Sequence, residues 1–413
     1  MKVFNSPHFL RHISMPILRE FTQQHPLAQH LNIDWSEEAD KLPATVIKAV
    51  SGFEDSLLDA QLGREDKEKV ELALHHWHDD LRRAHLMSND LSIQEFRSTC
   101  NGDEAFDEIA ANYDPQELSL WMLTHRDQAF RNAEMHIAFQ AKSNGKYWKK
   151  HRIQADLDLE QDRSKLEAFC SSVAKLYKNS GGGDNSHVEV SKRAADGSVQ
   201  LTIYIEGPIT AIAHFADSRF TRINTRIALE TALVYQPSTG FIETVVKGGA
   251  KNHTAVLELF GKHVVEQEIK PEEIERTKYK LNALRDGMLE PFDDWSKYGV
   301  EQIRLRRAKF FPTGQTGTSF QVEASPAKDQ QDAIQLALAR LKVHHSFESE
   351  YNMIGASIIV YKLASEDEKV KHFSFDLNAN GSSTIKNLTE KNQAIALAVL
   401  RSLNVIEPED VAA

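Results

Sequence analysis

A cluster of histidine and aspartate side chains at residues 75–80 is the first candidate for metal chemistry. Side chains three and four positions apart lie on one face of a helix, which would bring His75 together with His78 and Asp79. Imidazoles and carboxylates are common metal ligands. A ferritin-like metal site needs matching Glu-x-x-His motifs on two helices, and the sequence lacks the second one. A solvated helix face is therefore the favoured interpretation, and metal binding is its alternative.

Residues 153–160 hold a second candidate, because charged and apolar side chains alternate there. In a strand, Asp156, Asp158 and Glu160 would share one face, and three carboxylates could hold Mg²⁺ in a nuclease or hydrolase. The same pattern is typical of the wet side of an edge strand, where charges oppose aggregation, and this is the favoured interpretation. No cofactor is indicated, since phosphate-binding glycine motifs and standard serine or cysteine nucleophile motifs are missing.

Three basic clusters are candidates for contact with the phosphates of a nucleic acid. They comprise Trp148, Lys149, Lys150 and Arg152; Arg219, Arg222 and Arg226; and Arg304, Arg306 and Arg307. Lysine and arginine neutralise phosphates, and the neighbouring aromatic rings offer base stacking. In the alternative interpretation these residues form the wet faces of antiparallel sheets. That explanation suits Arg304 and Arg306 well, because they would share one face of a strand.

The composition limits the class of protein. The chain has 413 residues, of which 26% are charged and 41% hydrophobic, so a disordered or fibrous chain is excluded. A formal net charge of −11 argues against indiscriminate binding of polyanions. Two isolated cysteines, Cys100 and Cys170, form no CxxC motif and fit a reducing cytoplasm. We therefore expect a cytoplasmic protein without membrane contact, since neither a secretory signal nor a membrane-length apolar run is present.

Helical periodicity dominates the first part of the chain. The apolar residues Val70, Leu74, Trp77 and Leu81 follow one another at spacings of four, three and four, which is typical of one helix face. Asp114-Pro115 has the residue types of a helix start, and the helix is expected to run to Asn144-Gly145. Beyond this point the period changes to two, which predicts a strand at residues 153–160.

Hairpin signals follow, and together they predict an α+β fold. Strands 187–192 and 199–206 are separated by Asp196-Gly197, and strands 225–235 and 241–246 by Pro237-Ser238-Thr239-Gly240. Further strands are expected at 300–311, 319–324, 356–363 and 372–377, with short turns that favour antiparallel sheets. The predicted domains are a helical domain at 1–145, an α+β domain at 146–270 and an α+β domain at 271–413. The last of these would close with a winged-helix-like segment.

Three segments carry a resemblance to known sequences. They are ALVYQPSTGFIETVVKGG, YGVEQIRLRRAKFFPTG and STIKNLTEKNQAIALAVLRSLNVIE. Together they resemble a family of uncharacterised bacterial proteins that share a VYxPxTGxIExVxKGG hairpin. The resemblance spans about residues 115–407. It implies one shared architecture and an accessory bacterial gene in a phage-defence or regulatory setting, and it carries no catalytic residue over to this chain.

The favoured function follows from the missing catalytic spacings. We expect a bacterial cytoplasmic interaction, sensor or regulatory protein that has a protein partner and no catalytic centre of its own. Two alternatives stay open: a nucleic-acid-binding component that uses the basic strand faces, and a metal-dependent nuclease or hydrolase. The sequence decides neither whether the protein is an enzyme nor its oligomeric state.

Overall fold

A computed structural model defines the fold. It describes residues 4–36, 41–59, 64–143, 145–159, 162–193, 195–216, 219–276, 278–286, 295–314, 317–324, 333–342, 347–363 and 372–406. Helices come first along the chain, and two regions of antiparallel strands with packed helices follow. The α+β fold expected from the sequence is thereby confirmed. No helix in these ranges is long and apolar enough to cross a membrane.

The elements are numbered in chain order. The helices are α1 (Ser6–Leu10), α2 (Met15–Gln24), α3 (Leu42–Asp59), α4 (Arg64–Leu86), α5 (Asp90–Thr99), α6 (Glu104–Asn112), α7 (Pro115–His125), α8 (Asp127–Lys142), α9 (Arg163–Lys175), α10 (Ala250–Phe260), α11 (Asn282–Asp286), α12 (Ala333–Lys342), α13 (Phe347–Glu350) and α14 (Glu390–Ser402). The strands are β1 (Trp148–Arg152), β2 (Ser186–Lys192), β3 (Val199–Ala216), β4 (Arg219–Gln236), β5 (Phe241–Val245), β6 (Glu272–Ile274), β7 (Val300–Pro312), β8 (Phe320–Glu323), β9 (Tyr351–Lys362) and β10 (His372–Asn378).

The chain forms two compact units, and neither is continuous in sequence. The first unit contains residues 1–139, 155–240 and 263–265, and the second contains residues 140–154, 241–262 and 266–413. This division differs from the three consecutive domains expected at 1–145, 146–270 and 271–413, which stay a prediction. Each unit has its own hydrophobic core.

The helices of the first unit follow the apolar periodicity of the sequence. Trp77 and Leu81 of α4 are buried in the core, as their spacing predicts. The side chain of Asp114 caps α7 and exchanges hydrogen bonds with Glu117 in a capping box. The expected single helix from Pro115 to Asn144 is wrong, because Arg126 leaves the helical conformation and separates α7 from α8. The Arg126 side chain instead pairs with Asp103 at 2.8 Å.

The strands of the first unit extend far beyond their predicted ends. β2, β3 and β4 pair antiparallel in that order, with Leu201 and Leu233 directly opposite and buried. β3 passes the end of β2 near Glu206 and continues with β4 as a two-stranded ribbon, in which residues 209–216 pair with residues 219–226. We call these two segments the ribbon. The sequence pattern missed it because both of its faces are exposed, so the alternation between buried and polar positions is lost there.

The second unit is built on antiparallel strands. β5, β1 and β6 lie side by side in that order, and a four-stranded sheet has the order β10-β9-β7-β8. Leu305, Ile358 and Phe375 on this sheet share a buried core with Val399 of α14. Thr389 caps α14 by accepting a hydrogen bond from the backbone N–H of Asn392. The predicted strands 300–311 and 372–377 correspond closely to β7 and β10.

The strand expected at residues 153–160 is wrong. The strand in this region is β1, which ends at Arg152, and residues 153–159 have no regular structure. Asp156 has a φ of 54°, and its backbone N–H donates to the carbonyl oxygen of Pro237 rather than to a neighbouring strand. The N–H of Leu157 donates to the hydroxyl of Tyr235 at 3.0 Å. These local hydrogen bonds replace a strand ladder.

Candidate functional site

The first basic cluster lies on β1 of the second unit. The strand pairs with β5 on one side and with β6 on the other. Along the strand, Trp148 and His151 are buried, Lys149 and Lys150 are half-buried, and Arg152 is exposed. A short central strand between two partners fixes the backbone of all these residues, and it thereby fixes the positions from which the cations extend.

Two cations from distant parts of the chain contact the ring of Trp148. The guanidinium carbon of Arg276 lies 4.6 Å from the ring centre, and Nζ of Lys386 lies 4.3 Å from it. Arg276 also donates hydrogen bonds to the backbone oxygens of Gly145 at 2.6 Å and Trp148 at 3.4 Å. The ring of Trp148 is therefore a platform for cations, and it is too buried to stack on a base in the way that the sequence suggested.

A single carboxylate connects the members of this cluster. Glu243 accepts a hydrogen bond from Nε1 of Trp148 at 2.8 Å and another from Nζ of Lys386 at 3.0 Å. Nζ of Lys150 lies 3.9 Å from the same carboxylate. Burial lowers the pKa of Lys150, and the positive charges of Lys386 and Arg152 lower it further against the opposing effect of Glu243. One carboxylate thus faces two lysines and does not neutralise both.

A cation–π contact brings the remaining member of the cluster to the same place. Nζ of Lys150 lies 3.9 Å from the ring centre of Phe241, and the guanidinium carbon of Arg152 lies 5.1 Å from it. All four residues predicted for this cluster, Trp148, Lys149, Lys150 and Arg152, therefore lie on β1, where Lys149 alternates in direction with the other three.

A groove of about 440 Å³ opens beside these residues. Five cationic side chains and two carboxylates line it: Lys146, Lys149, Lys150, Arg276, Lys278, Glu273 and Glu275. Nζ of Lys149 lies 2.6 Å from Glu273, and Nζ of Lys278 lies 3.9 Å from Glu275. The hydrogen bond from Lys149 holds the pKa of Glu273 below its ordinary value. The groove keeps an excess of positive charge even after these pairings, which suits a phosphate group.

Several residues of the groove and of the contacts around Trp148 were not predicted from the sequence. Lys146 adjoins the predicted cluster, and its charge was an available signal. Arg276 and Lys386 come from segments more than 120 residues away from Trp148 and carry no local motif. Their contribution depends on tertiary pairing, which a single sequence does not reveal.

The second basic cluster lies on β4 in the first unit, and its members do not converge. Arg226 is held at the base of the ribbon by Glu206 at 3.3 Å and by the backbone oxygens of Gly181 and Gly207. Arg222 shares a ribbon face with Arg226, because the two are four positions apart on one strand, whereas Arg219 lies on the opposite face.

The third cluster is rearranged by an irregularity in β7. The register with β9 shifts between Leu305 and Arg307, so Arg304 pairs with Ile359 and Arg307 with Ser357. These partners are two positions apart, which puts Arg304 and Arg307 on one side of the sheet. A β-bulge at Arg306 inserts a residue there, and Arg306 and Arg307 line one shallow pocket together with Ser357 and Asp376.

Two of these arginines pair with carboxylates. Arg307 reaches across the strand to Asp376 at 2.9 Å, and Arg306 lies 4.0 Å from Glu323. Arg304 is buried. The third cluster therefore offers a phosphate less positive charge than the groove does.

The candidate metal ligands form no metal-binding cluster among the described residues. On α4, His75 is exposed, Nε2 of His78 lies 2.6 Å from Glu54, and Asp79 pairs with Arg82 at 2.6 Å. Asp156 and Asp158 lie in the irregular segment after β1, and Glu160 is outside the described residues. Within the described ranges, no group of three or more His, Cys, Asp or Glu side chains could hold a metal ion.

A hydrogen-bonded chain of buried polar groups in the first unit was not predicted. Oγ of Ser191 lies 3.0 Å from Nε2 of His136, whose Nδ1 lies 2.7 Å from Glu95. Arg193 contacts both oxygens of Glu95 at 3.0 and 2.8 Å. The order serine, histidine and glutamate is that of a catalytic triad. However, Ser191 is only 1% exposed and Glu95 only 2%. The chain therefore ties α5 and α8 to β2 rather than facing a substrate.

Comparison with known proteins adds no relative, because neither a protein-family model nor a curated protein matches this chain.

Proposed function

We propose that this protein is a regulatory or interaction protein that binds nucleic acid through the groove beside Trp148. The observation that carries the proposal is the groove lining, in which five cations face two carboxylates. Phosphate contacts supply most of the affinity of proteins for nucleic acids. The proposal assigns a binding role to the protein and no catalytic step.

Two cations at the Trp148 ring are positioned before any ligand arrives, and one of them, Arg276, lines the groove. Arg276 is held by the Trp148 ring and two backbone oxygens, and Lys386 is held by the same ring and by Glu243. Ordering a long side chain on binding costs about 0.5–1.5 kcal/mol. Because these two side chains are already ordered, less of that cost falls on the binding step.

The rest of the chain favours selective over indiscriminate binding. The formal net charge of −11 repels a polyanion from most of the surface. Tyr147 lies between the groove residues Lys146 and Trp148 in the chain and is 37% exposed. Nζ of Lys146 lies 4.7 Å from the centre of its ring. Its free face could stack on a base, which favours a single-stranded segment as the ligand. The resemblance to bacterial proteins extends the proposal to a cytoplasmic regulator in a bacterial cell, with phage defence as its setting.

Fluorescence anisotropy with labelled single-stranded and duplex oligonucleotides tests the proposal. We expect binding that weakens as salt rises, and we expect the triple variant Lys146→Ala, Lys149→Ala and Lys278→Ala to weaken it strongly. The slope of log K against log salt should fall by about 0.7 for each single-strand phosphate contact that is lost.

A matched control uses lysines of the same unit outside the groove. Lys251 and Lys391 are exposed on α10 and α14, and their double alanine variant removes positive charge without touching the groove. It should keep the wild-type slope. Undetectable binding to every oligonucleotide, or equal losses in the two variants, would contradict the proposed site.

A further inference from the structure

The ribbon presents large apolar side chains to solvent on both of its faces. Ile209, Phe215 and Phe220 lie on one face at 66%, 74% and 61% exposure, and the two phenylalanine rings meet edge to face at 5.7 Å. Ile223 and Ile227 lie on the other face and are each about half exposed. Soluble proteins seldom expose contiguous apolar surface of this kind unless a partner covers it.

The two strands of the ribbon differ in charge. Residues 209–216 of β3 read ITAIAHFA and contain no charged residue other than a histidine, whereas residues 219–226 of β4 carry Arg219, Arg222 and Arg226. Exposed edge strands are normally protected by lysine, proline or inward-pointing charges. The β3 edge lacks such protection, while the β4 edge has it.

The outer edge of β3 is open along this segment. β2 pairs with β3 from Val199 to Ile205, and no strand in the described part of the chain pairs with residues 209–216 on that side. A bulge follows Glu206, where a side chain at Gly207 would collide with the carbonyl oxygen of Ile227. Glycine at this position therefore permits the close approach of β3 and β4 from which the ribbon extends.

We propose that the ribbon pairs with the same ribbon of a second copy of this chain, edge to edge through β3. Two identical strands can pair antiparallel about a two-fold axis, which makes a closed and self-complementary interface. With the axis at Ile212, Ile212 would face its counterpart, and Ile209 would lie opposite Phe215 of the second copy. The inference goes beyond the proposed binding of nucleic acid, since it concerns the first unit and a different partner.

The charge distribution fits a second copy that pairs through β3. In a four-stranded ribbon with the order β4-β3-β3-β4, the arginines lie on the two outer strands, far from one another. The two inner strands bring no like charges together, so the pairing avoids the repulsion that directly opposed charges cause. A pairing through β4 would instead oppose arginines across the axis.

Light scattering coupled to size-exclusion chromatography, with the full chain, tests this inference. We expect a mass of twice 46.7 kDa for the wild type. The variant Ala211→Lys places a charge on the β3 edge at an exposed position, and it should raise the dimer dissociation constant by at least about a hundredfold. Asn224 is the direct cross-strand partner of Ala211, so Asn224→Lys is a matched control that should leave the dimer intact.

Disulfide trapping gives a second readout that does not depend on the lysine variant folding well. A single cysteine at Ile212, the residue on the two-fold axis, should crosslink two chains under mild oxidation, whereas a cysteine at Asn224 should not, because a disulfide needs Cα atoms within about 7 Å. The native Cys100 and Cys170 are buried.

A monomeric wild type, or a dimer that Asn224→Lys breaks and Ala211→Lys spares, would overturn the inference. So would an Ala211→Lys variant that keeps its mass and loses nucleic-acid binding, because the ribbon would then contact nucleic acid.

Discussion

The guanidinium carbon of Arg276 lies 4.6 Å from the ring centre of Trp148, a residue 128 positions earlier in the chain. Lys386 contacts the same ring from another segment at 4.3 Å. Two positive charges thus share one aromatic platform, and Glu243 compensates part of their repulsion. A phosphate bound in the adjacent groove would relieve the rest, which gives the arrangement a physical reason to bind anions.

The first prediction concerns Arg276. Arg276→Ala removes a charge and its contact with the ring, and we expect affinity for oligonucleotides to fall about 5- to 30-fold, which corresponds to about 1–2 kcal/mol. Arg276→Lys keeps the charge but loses the planar guanidinium, so its affinity for oligonucleotides should lie between those of the wild type and Arg276→Ala. Anisotropy titrations at two salt concentrations measure both effects. Unchanged affinity in Arg276→Ala would exclude this side chain from the binding site.

The second prediction concerns Glu243, whose substitution should strengthen the binding of oligonucleotides rather than weaken it. Glu243→Gln retains an acceptor for Nε1 of Trp148 but removes the negative charge between Lys150 and Lys386. We expect tighter binding to oligonucleotides at low salt, together with a lower melting temperature, because two lysines then repel without compensation. Glu258→Gln, at an exposed position of α10, is the control and should change neither quantity. Weaker binding in Glu243→Gln would show that the carboxylate itself supports the ligand.

The sequence predicted the groove in part, and the reason is the distance along the chain over which each signal operates. Lys149, Lys150 and Arg152 are consecutive or alternate on one strand, so a local pattern reveals them. Arg276 and Lys386 reach the site through tertiary pairing, which local patterns do not encode. The same limit explains β7, where a bulge of one residue moved Arg307 to the side expected for Arg306.

Patterns of burial explain the other differences. The helices α4 and α7 were predicted because they carry an apolar face against a core or a capping motif. The ribbon was not predicted, since neither of its faces is buried within the unit and alternation is therefore absent. In residues 153–159 the alternation is present, but Leu157 is buried through a loop that binds Tyr235 rather than through a strand.

The third prediction concerns the reactivity of the two thiols. Burial raises the pKa of Cys100 to about 11, with the neighbouring Asp103 acting in the same direction, and burial also raises the pKa of Cys170. Because the thiolate is the reactive form, iodoacetamide at pH 8 should modify neither cysteine while the protein is folded. Mass spectrometry should show two additions after unfolding in guanidinium. Rapid labelling of Cys100 in the folded protein would contradict its buried environment.

The last prediction concerns the buried chain around Glu95. Burial by itself would raise the pKa of this carboxyl, but the hydrogen bond from His136 and the charge of Arg193 outweigh it, so the pKa lies below its ordinary value. A lowered carboxyl pKa stabilises the fold at pH values above the pKa of the unfolded chain, and this stabilisation is lost as the pH falls through the folded value. Wild-type stability should therefore decrease with falling pH below the usual carboxyl range.

The variant Glu95→Gln isolates this contribution. It leaves the half-buried Arg193 and the buried His136 without the Glu95 carboxylate, and we expect it to lower the free energy of unfolding near neutral pH by about 3–5 kcal/mol. Its stability should then depend less steeply on pH than that of the wild type, because the titrating group is gone. Urea unfolding at several pH values measures both, with Glu104→Gln at an exposed position as the control. If Glu95→Gln and Glu104→Gln behaved alike, the buried chain would not be what joins α5 and α8 to β2.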